Sequence, residues 1–147
     1  MSPDIKRVLE LAFPGEDARY FGPISVGNTP ASADEGAAAI LDGTKTTTSS
    51  PFWYWPHGRI PFVGALSVLL DGQSRMRAII ETQRVEIISF GAVDESLAWS
   101  YGEGDRTLHG WRSMTGAIYR ESAARHGIFF SDDTPLIFEW LAVARRL

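Results

Sequence analysis

Residues Gly64 to Phe90 read GALSVLLDGQSRMRAIIETQRVEIISF, and this stretch decides the fold class. Gly64 to Leu70 and Arg75 to Phe90 are rich in Val, Ile and Leu, the composition of strands. Between them Asp71-Gly72 is a strong turn signal, because Gly takes the left-handed backbone that tight hairpin turns require. The stretch therefore predicts two long antiparallel strands joined locally.

Working outward, helices flank this hairpin on both sides. Ile5 to Phe13 places Ile5, Val8, Leu9 and Ala12 on one face, and Pro14-Gly15 stops it. Phe21 to Pro30, with its Gly and Pro residues, reads as an irregular loop. Ser32 and Glu35 have capping-box spacing for a helix through Leu41, and Gly43 suits the residue just past its end. Pro51 to Pro61 is an aromatic loop. Val93 to Tyr101 and Leu108 to His126 read as helices, the second carrying Leu108, Trp111, Thr115, Ile118 and Ser122 on one side. Leu136 to Val143 closes the chain as a strand. Helices and hairpin-joined strands in this order predict an α+β fold rather than a doubly wound sheet. There is no repeat and no linker, so residues 1–147 are expected to form one domain.

Composition sets limits. The chain has 147 residues, 44% hydrophobic and 22% charged, enough to bury a core. It contains no Cys, which excludes disulfides, thiolate zinc sites, iron–sulfur clusters and a Cys nucleophile. His57, His109 and His126 are scattered without ligand spacing, so no metal site is expected. No apolar run approaches a membrane span, no leader is evident at the N-terminus, and the expectation is a cytoplasmic protein that does not engage membranes. The formal net charge of −4 lacks the basic footprint of proteins that ride on long nucleic acids. It favours a small or weakly charged ligand, although local Arg clusters leave room for a short single-stranded RNA.

The most informative chemistry lies in Gly43-Thr44-Lys45-Thr46-Thr47-Thr48-Ser49-Ser50. A lysine directly after a helix C-terminus sits by the negative end of the helix dipole. Where such a lysine is also buried, its pKa falls and it becomes a base. On a regular strand Lys45 and Thr48 face opposite sides, so a bend near Lys45 is required to bring them together. Read from composition alone, the same stretch describes a Thr-rich strand with a solvated lysine.

Gly43-x-Lys45-x-x-Thr48 after a helix resembles the G-x-K-x-x-T-x-R signature of ASCH (activating-signal cointegrator homology) domains. Three further stretches resemble the longer bacterial members in the right order. These are Ile80-Glu81-Thr82 with Val85-Glu86, Tyr101-Gly-Glu103-Gly-Asp105-Arg106-Thr107-Leu108 followed by Trp111-Arg112, and Phe130-Ser131-Asp132-Asp133-Thr134-Pro135. The similarity runs from about residue 9 to 143. Ser50 stands where the signature has its final Arg. The resemblance implies a PUA-like fold: a small, mostly antiparallel β-barrel flanked by helices, with a cleft beside the Lys-bearing strand.

It also implies a function. Small bacterial members resemble amidohydrolases that remove acyl groups from the exocyclic amine of cytidine. Their catalytic set maps onto Lys45, Thr48 and Glu103. Thr48 is then the nucleophile, Lys45 the base, and Glu103 the donor to the departing nitrogen. Ser49 or backbone N–H groups near Gly43 are candidates for the oxyanion. No cofactor or metal is called for. Ser50, Trp53 and Tyr54 are candidate substrate contacts, the aromatic rings serving either as core or as stacking faces for a base. Asp105 and Arg106 are expected to hold the loop of Glu103 by an ion pair or a cap. Some longer members are linked to ribonuclease activity through positions matching Lys45 and Ser131. The alternatives to a nucleobase or nucleoside amidohydrolase are thus an RNA-binding module or ribonuclease using the same cleft, and an adaptor that keeps the fold alone.

Overall fold

The computed structural model describes residues 1–147. Its elements in chain order are α1 (Pro3–Ala12), β1 (Tyr20–Ile24), α2 (Pro30–Asp42), β2 (Thr47–Pro51), β3 (Leu66–Leu70), β4 (Met76–Ser89), α3 (Glu95–Tyr101), α4 (Leu108–Arg125) and β5 (Pro135–Arg146). The five strands form one sheet in the order β1-β3-β4-β5-β2. All pairings are antiparallel except β1 with β3.

The hairpin between β3 and β4 is the expected one, pairing Leu66 with Glu81 and Leu69 with Ala78. Its turn is organised by Asp71, whose side chain accepts from the backbone N–H groups of Gln73 and Arg75 and from the Arg75 guanidinium. Burial pushes this carboxyl up, but the hydrogen bonds and the Arg75 charge outweigh burial and bring its pKa to about 2.

Alternation along the strands distributes the helices. Leu66, Val68 and Ile79 pack with Ile5 and Leu9 of α1 on one face. Leu69, Ala78, Ile80 and Leu141 pack with Ala37 and Ile40 of α2. A third cluster joins α3 and α4 to the sheet through Tyr101, Trp111, Tyr119, Leu136 and Phe138. The α+β architecture follows.

Three local expectations are corrected. The Phe21–Pro30 segment is not irregular throughout, because Tyr20–Ile24 forms β1. Gly22 and Pro23 mask its strand propensity, and Pro23 is tolerated because β1 is an edge strand. The capping box of α2 is Thr29 with Ser32, not Ser32 with Glu35. Pro30, with its fixed φ and absent N–H, suits the first helical position and starts the helix earlier. The sheet is also not closed into a barrel. Its edges are β1 and β2, which leave Pro23 and Pro51 without N–H donors at the margin and have a cleft between them.

Candidate functional site

The cleft between the two sheet edges has a volume of about 810 Å³, within the roughly 300–1,000 Å³ of small-molecule sites. β1 supplies Phe21 and Ile24, β2 supplies Thr48, Ser49 and Ser50, and α4 supplies Thr115 and Tyr119. The loop after α3 adds Glu103, and the aromatic segment adds Trp53 and Tyr54.

Lys45 is placed by the end of α2. Gly43 takes the left-handed conformation with φ 84°, and Lys45 N–H then donates to Ala39 O at 3.0 Å. Thr46 N–H donates to Ser100 O at 2.9 Å, so regular strand begins only at Thr47. The backbone at Lys45 and Thr46 thus departs from a regular strand. It carries the lysine inward, and Lys45 is 1% exposed, not solvated. Its Nζ donates to Tyr101 O at 3.1 Å, lies 3.5 Å from the Tyr101 ring centroid, and sits 3.7 Å from Glu103 Oε1. Burial lowers its pKa to about 8, with Glu103 opposing the shift. Lys45 does not itself reach the cleft surface. Glu103, whose side chain is 21% exposed, stands between its amine and the cleft.

The loop carrying Glu103 is fixed by its neighbours. Gly102 has φ 67°, and a Cβ there would come within 2.4 Å of Thr44 O and 2.7 Å of Lys45 Cα. Arg106 donates from Nε to Trp99 O and from Nη2 to Thr44 O, and its guanidinium stacks 3.6 Å from the Trp99 ring. Asp105 accepts from Thr107 N–H and hydroxyl. Both residues are therefore structural, by capping and backbone bonds and not by a mutual ion pair.

Ser49 is already engaged. Tyr119 OH donates to Ser49 O at 2.8 Å. The Ser49 hydroxyl, 2.7 Å from Tyr119 OH, must then donate to it and accept from Tyr101 OH at 3.0 Å. This chain occupies the hydroxyl that was a candidate for the oxyanion. Burial and the nearby Glu103 push Tyr101 up to about 12, keeping it a neutral donor. Burial likewise raises Tyr119 well above the ordinary phenol value. Ser50 Oγ accepts from Trp55 Nε1 at 2.9 Å and so ties down the aromatic segment. Trp53 Nε1 donates to Ser122 Oγ at 3.0 Å, leaving the ring half-buried, while Tyr54 is exposed and lies edge-on to Tyr119.

Ser131 lies elsewhere. It borders a separate, shallower depression with Phe52, Phe129 and Thr134, and its hydroxyl accepts from Asp133 N–H in the turn before β5. Thr48 and Glu103 both line the cleft, Lys45 lies buried behind Glu103, and Ser131 lies outside the cleft.

Two features escaped sequence reading. The Tyr101–Ser49–Tyr119 hydroxyl chain joins three elements far apart in sequence. Glu139, on β5 and paired in register with Thr48, lines the cleft while only 7% exposed. Its sole signal was a charged residue inside the apolar run Leu136 to Leu141. No three His, Cys, Asp or Glu side chains converge in metal-binding geometry.

The ASCH domain family model matches residues 22–145 of the chain. The crystal structure of an ASCH domain from Lactobacillus crispatus JV V101 superposes with TM-score 0.83 at 27% identity, covering 95% of this chain and 91% of that one. The structure of protein EF3133 from Enterococcus faecalis V583 gives TM-score 0.79 at 24% identity, covering 95% and 88%. No curated protein matches significantly.

Proposed function

This chain belongs to the ASCH domain family, and on that premise we propose that its cleft hydrolyses the acyl amide on the exocyclic amine of a cytidine-type nucleobase or nucleoside. The observation that carries this reading is the fully buried Lys45 amine held 3.7 Å from Glu103, a residue that lines the same cleft as Thr48. A lysine with a pKa near 8 is available as a base near neutrality.

In the proposed reaction Thr48 Oγ attacks the acyl carbonyl carbon. Its proton passes to the Lys45–Glu103 pair. The C–N bond then breaks, and Glu103 delivers the proton to the departing exocyclic nitrogen. Water hydrolyses the Thr48 ester, releasing the acid and restoring the hydroxyl. Both oxyanion candidates are already engaged in the fold: the Ser49 hydroxyl is committed to Tyr119, and the N–H groups of Gly43, Thr44, Lys45 and Thr46 donate to Ile40 O, Asp42 Oδ1, Ala39 O and Ser100 O. Trp53 and Tyr54 at the mouth offer ring faces to the base.

The test is hydrolysis of N4-acetylcytidine by the purified chain, with and without a chelator. The expected result is acetate and cytidine in both cases. Lys45→Ala and Thr48→Ala should remove nearly all of the rate, because base and nucleophile act as a unit. Glu103→Gln should lower it by a factor on the order of a hundred. Melting curves of all three variants separate chemistry from folding. Cleavage of RNA instead, lost in both Lys45→Ala and Ser131→Ala, would replace this reading with a ribonuclease. No change in either substrate would leave the adaptor role.

A further inference from the structure

Glu139 has no part in the reaction just described, yet it is the most deeply placed carboxyl in the cleft. It lies on β5 directly across from Thr48 in the register of β2 with β5. Alternation along β5 puts it on the same face as Leu141, toward α2. Thr82 of β4, itself buried, donates from Oγ1 to Glu139 Oε1 at 2.9 Å, and the buried Ser67 of β3 lines the same cleft. No Lys, Arg or His forms an ion pair with it.

A purely structural role explains little. The β4–β5 ladder already runs from Ala78 to Ser89 without help from this pair. A Thr–Glu bond satisfies one of about four acceptor sites on a carboxylate. A buried carboxyl without a cation costs stability, which an apolar residue of similar volume would not. The group therefore faces the cleft with a hydrogen-bonding capacity that the folded chain leaves unused.

We infer that Glu139 is the specificity-determining residue of the cleft, recognising the edge of a pyrimidine on which a ring nitrogen acceptor sits beside an exocyclic N–H donor. This rests on the nucleobase-amide reading of the same cleft and adds to it how the base is selected. Oε1, already accepting from Thr82, keeps a second lone pair for the exocyclic N–H. Oε2 carries the proton and donates it to the ring nitrogen. The Thr82 bond sets this polarity, since an oxygen that accepts a hydrogen bond is the better carbonyl end of a carboxylic acid. Burial favours the protonated form by raising the Glu139 pKa, with the Thr82 bond opposing the shift. The pattern fits cytosine and its N4-acyl derivatives. Uracil presents an N–H where cytosine presents its ring acceptor, and so leaves buried groups mismatched.

The experiment is calorimetric titration of the intact protein with cytidine and with uridine, in the wild type, Glu139→Ala and Glu139→Gln. The wild type should bind cytidine at least about tenfold more tightly than uridine. Glu139→Ala should lose that preference. Glu139→Gln should keep it, because the amide places a carbonyl acceptor toward Thr82 and an N–H donor toward the ring nitrogen. Conservative rescue by Gln excludes a loss caused by misfolding and a role that needs the negative charge. Equal binding of the two nucleosides, binding of neither, an unchanged Glu139→Ala, or a Gln variant as damaged as the Ala variant would each overturn the inference. Hydrolysis of N4-acetylcytidine separates this outcome from the catalytic one. If hydrolysis is absent while the cytidine preference and its rescue hold, only the catalytic reading falls. If hydrolysis occurs and Glu139→Ala leaves KM and the cytidine preference intact, only this inference falls.

Discussion

The Nζ of Lys45 lies 3.7 Å from Oε1 of Glu103, and no other carboxylate pairs with this fully buried cation. Burial drives Lys45 toward its neutral form while Glu103 pulls it back, and burial is the larger influence. The pair joins an amine beneath the cleft wall to a carboxylate on its surface.

That placement predicts a stability cost. With a folded pKa of about 8 against 10.5 for an ordinary lysine, the unfolded chain holds a proton between these values that the folded chain lacks. Stability must therefore rise with pH across that window, and the cost is fully present below pH 8, at about 3 kcal/mol. Lys45→Met, which keeps the volume and removes the charge, should raise the melting temperature at pH 7 while abolishing activity. The gain should shrink above pH 10. A lower melting temperature for Lys45→Met at pH 7 would show that the bond to Tyr101 O outweighs the desolvation of the amine.

The same pair sets a pH profile. If neutral Lys45 is the base, kcat/KM should climb with pH and level off above about 8. Because the two groups interact, the apparent value belongs to the pair. Glu103→Gln removes the influence that raises Lys45, so the residual activity should reach its plateau at lower pH. A limb that stays in place, or moves to higher pH, argues against Lys45 as the titrating base.

The elements that sequence made legible are those with strong periodicity or unmistakable punctuation. Asp71-Gly72 marked the β3–β4 hairpin, Gly43 the end of α2, and the stripe through Trp111, Thr115 and Ser122 the buried face of α4. β1 was illegible because Tyr20–Ile24 contains Gly22 and Pro23, and only pairing with β3 makes it a strand. Lys45, Thr48 and Glu103 were legible as a motif, but the burial of Lys45 was not, since it depends on Gly102 packing against the Thr44–Lys45 backbone. Glu139 had no local signal for a cleft role, because its position follows from its register with Thr48. Ser131 looked like a partner of Lys45, yet the turn before β5 places it at another depression.

Charge predicts weak engagement of generic RNA. A net charge of −4 gives few sites at which phosphates displace counterions. Filter binding of mixed-sequence RNA at physiological salt should show low affinity and a shallow dependence on added salt. Tight binding with a steep salt slope would favour an RNA-binding role over a small-molecule site.

The last prediction sets two nearby glycines against each other. Gly102 and Gly104 both have left-handed backbones, with φ 67° and 62°. A Cβ at Gly104 meets nothing within 4 Å, so Gly104→Ala costs only the backbone strain of about 1–2 kcal/mol. A Cβ at Gly102 adds contacts of 2.4 Å to Thr44 O and 2.7 Å to Lys45 Cα. These are backbone atoms held by Thr46 N–H on Ser100 O and by Arg106 on Thr44 O, so neither can yield cheaply. Gly102→Ala must then push the end of α3 away from the Lys45 segment, lengthening the bond from Lys45 Nζ to Tyr101 O and displacing Glu103. Urea unfolding should show Gly102→Ala clearly less stable than Gly104→Ala. At a temperature where both stay folded, Gly102→Ala should lose most of its activity and Gly104→Ala should retain most. Equal stability and equal activity of the two variants would mean that the close approach of α3 to Thr44–Lys45 does not hold the site together.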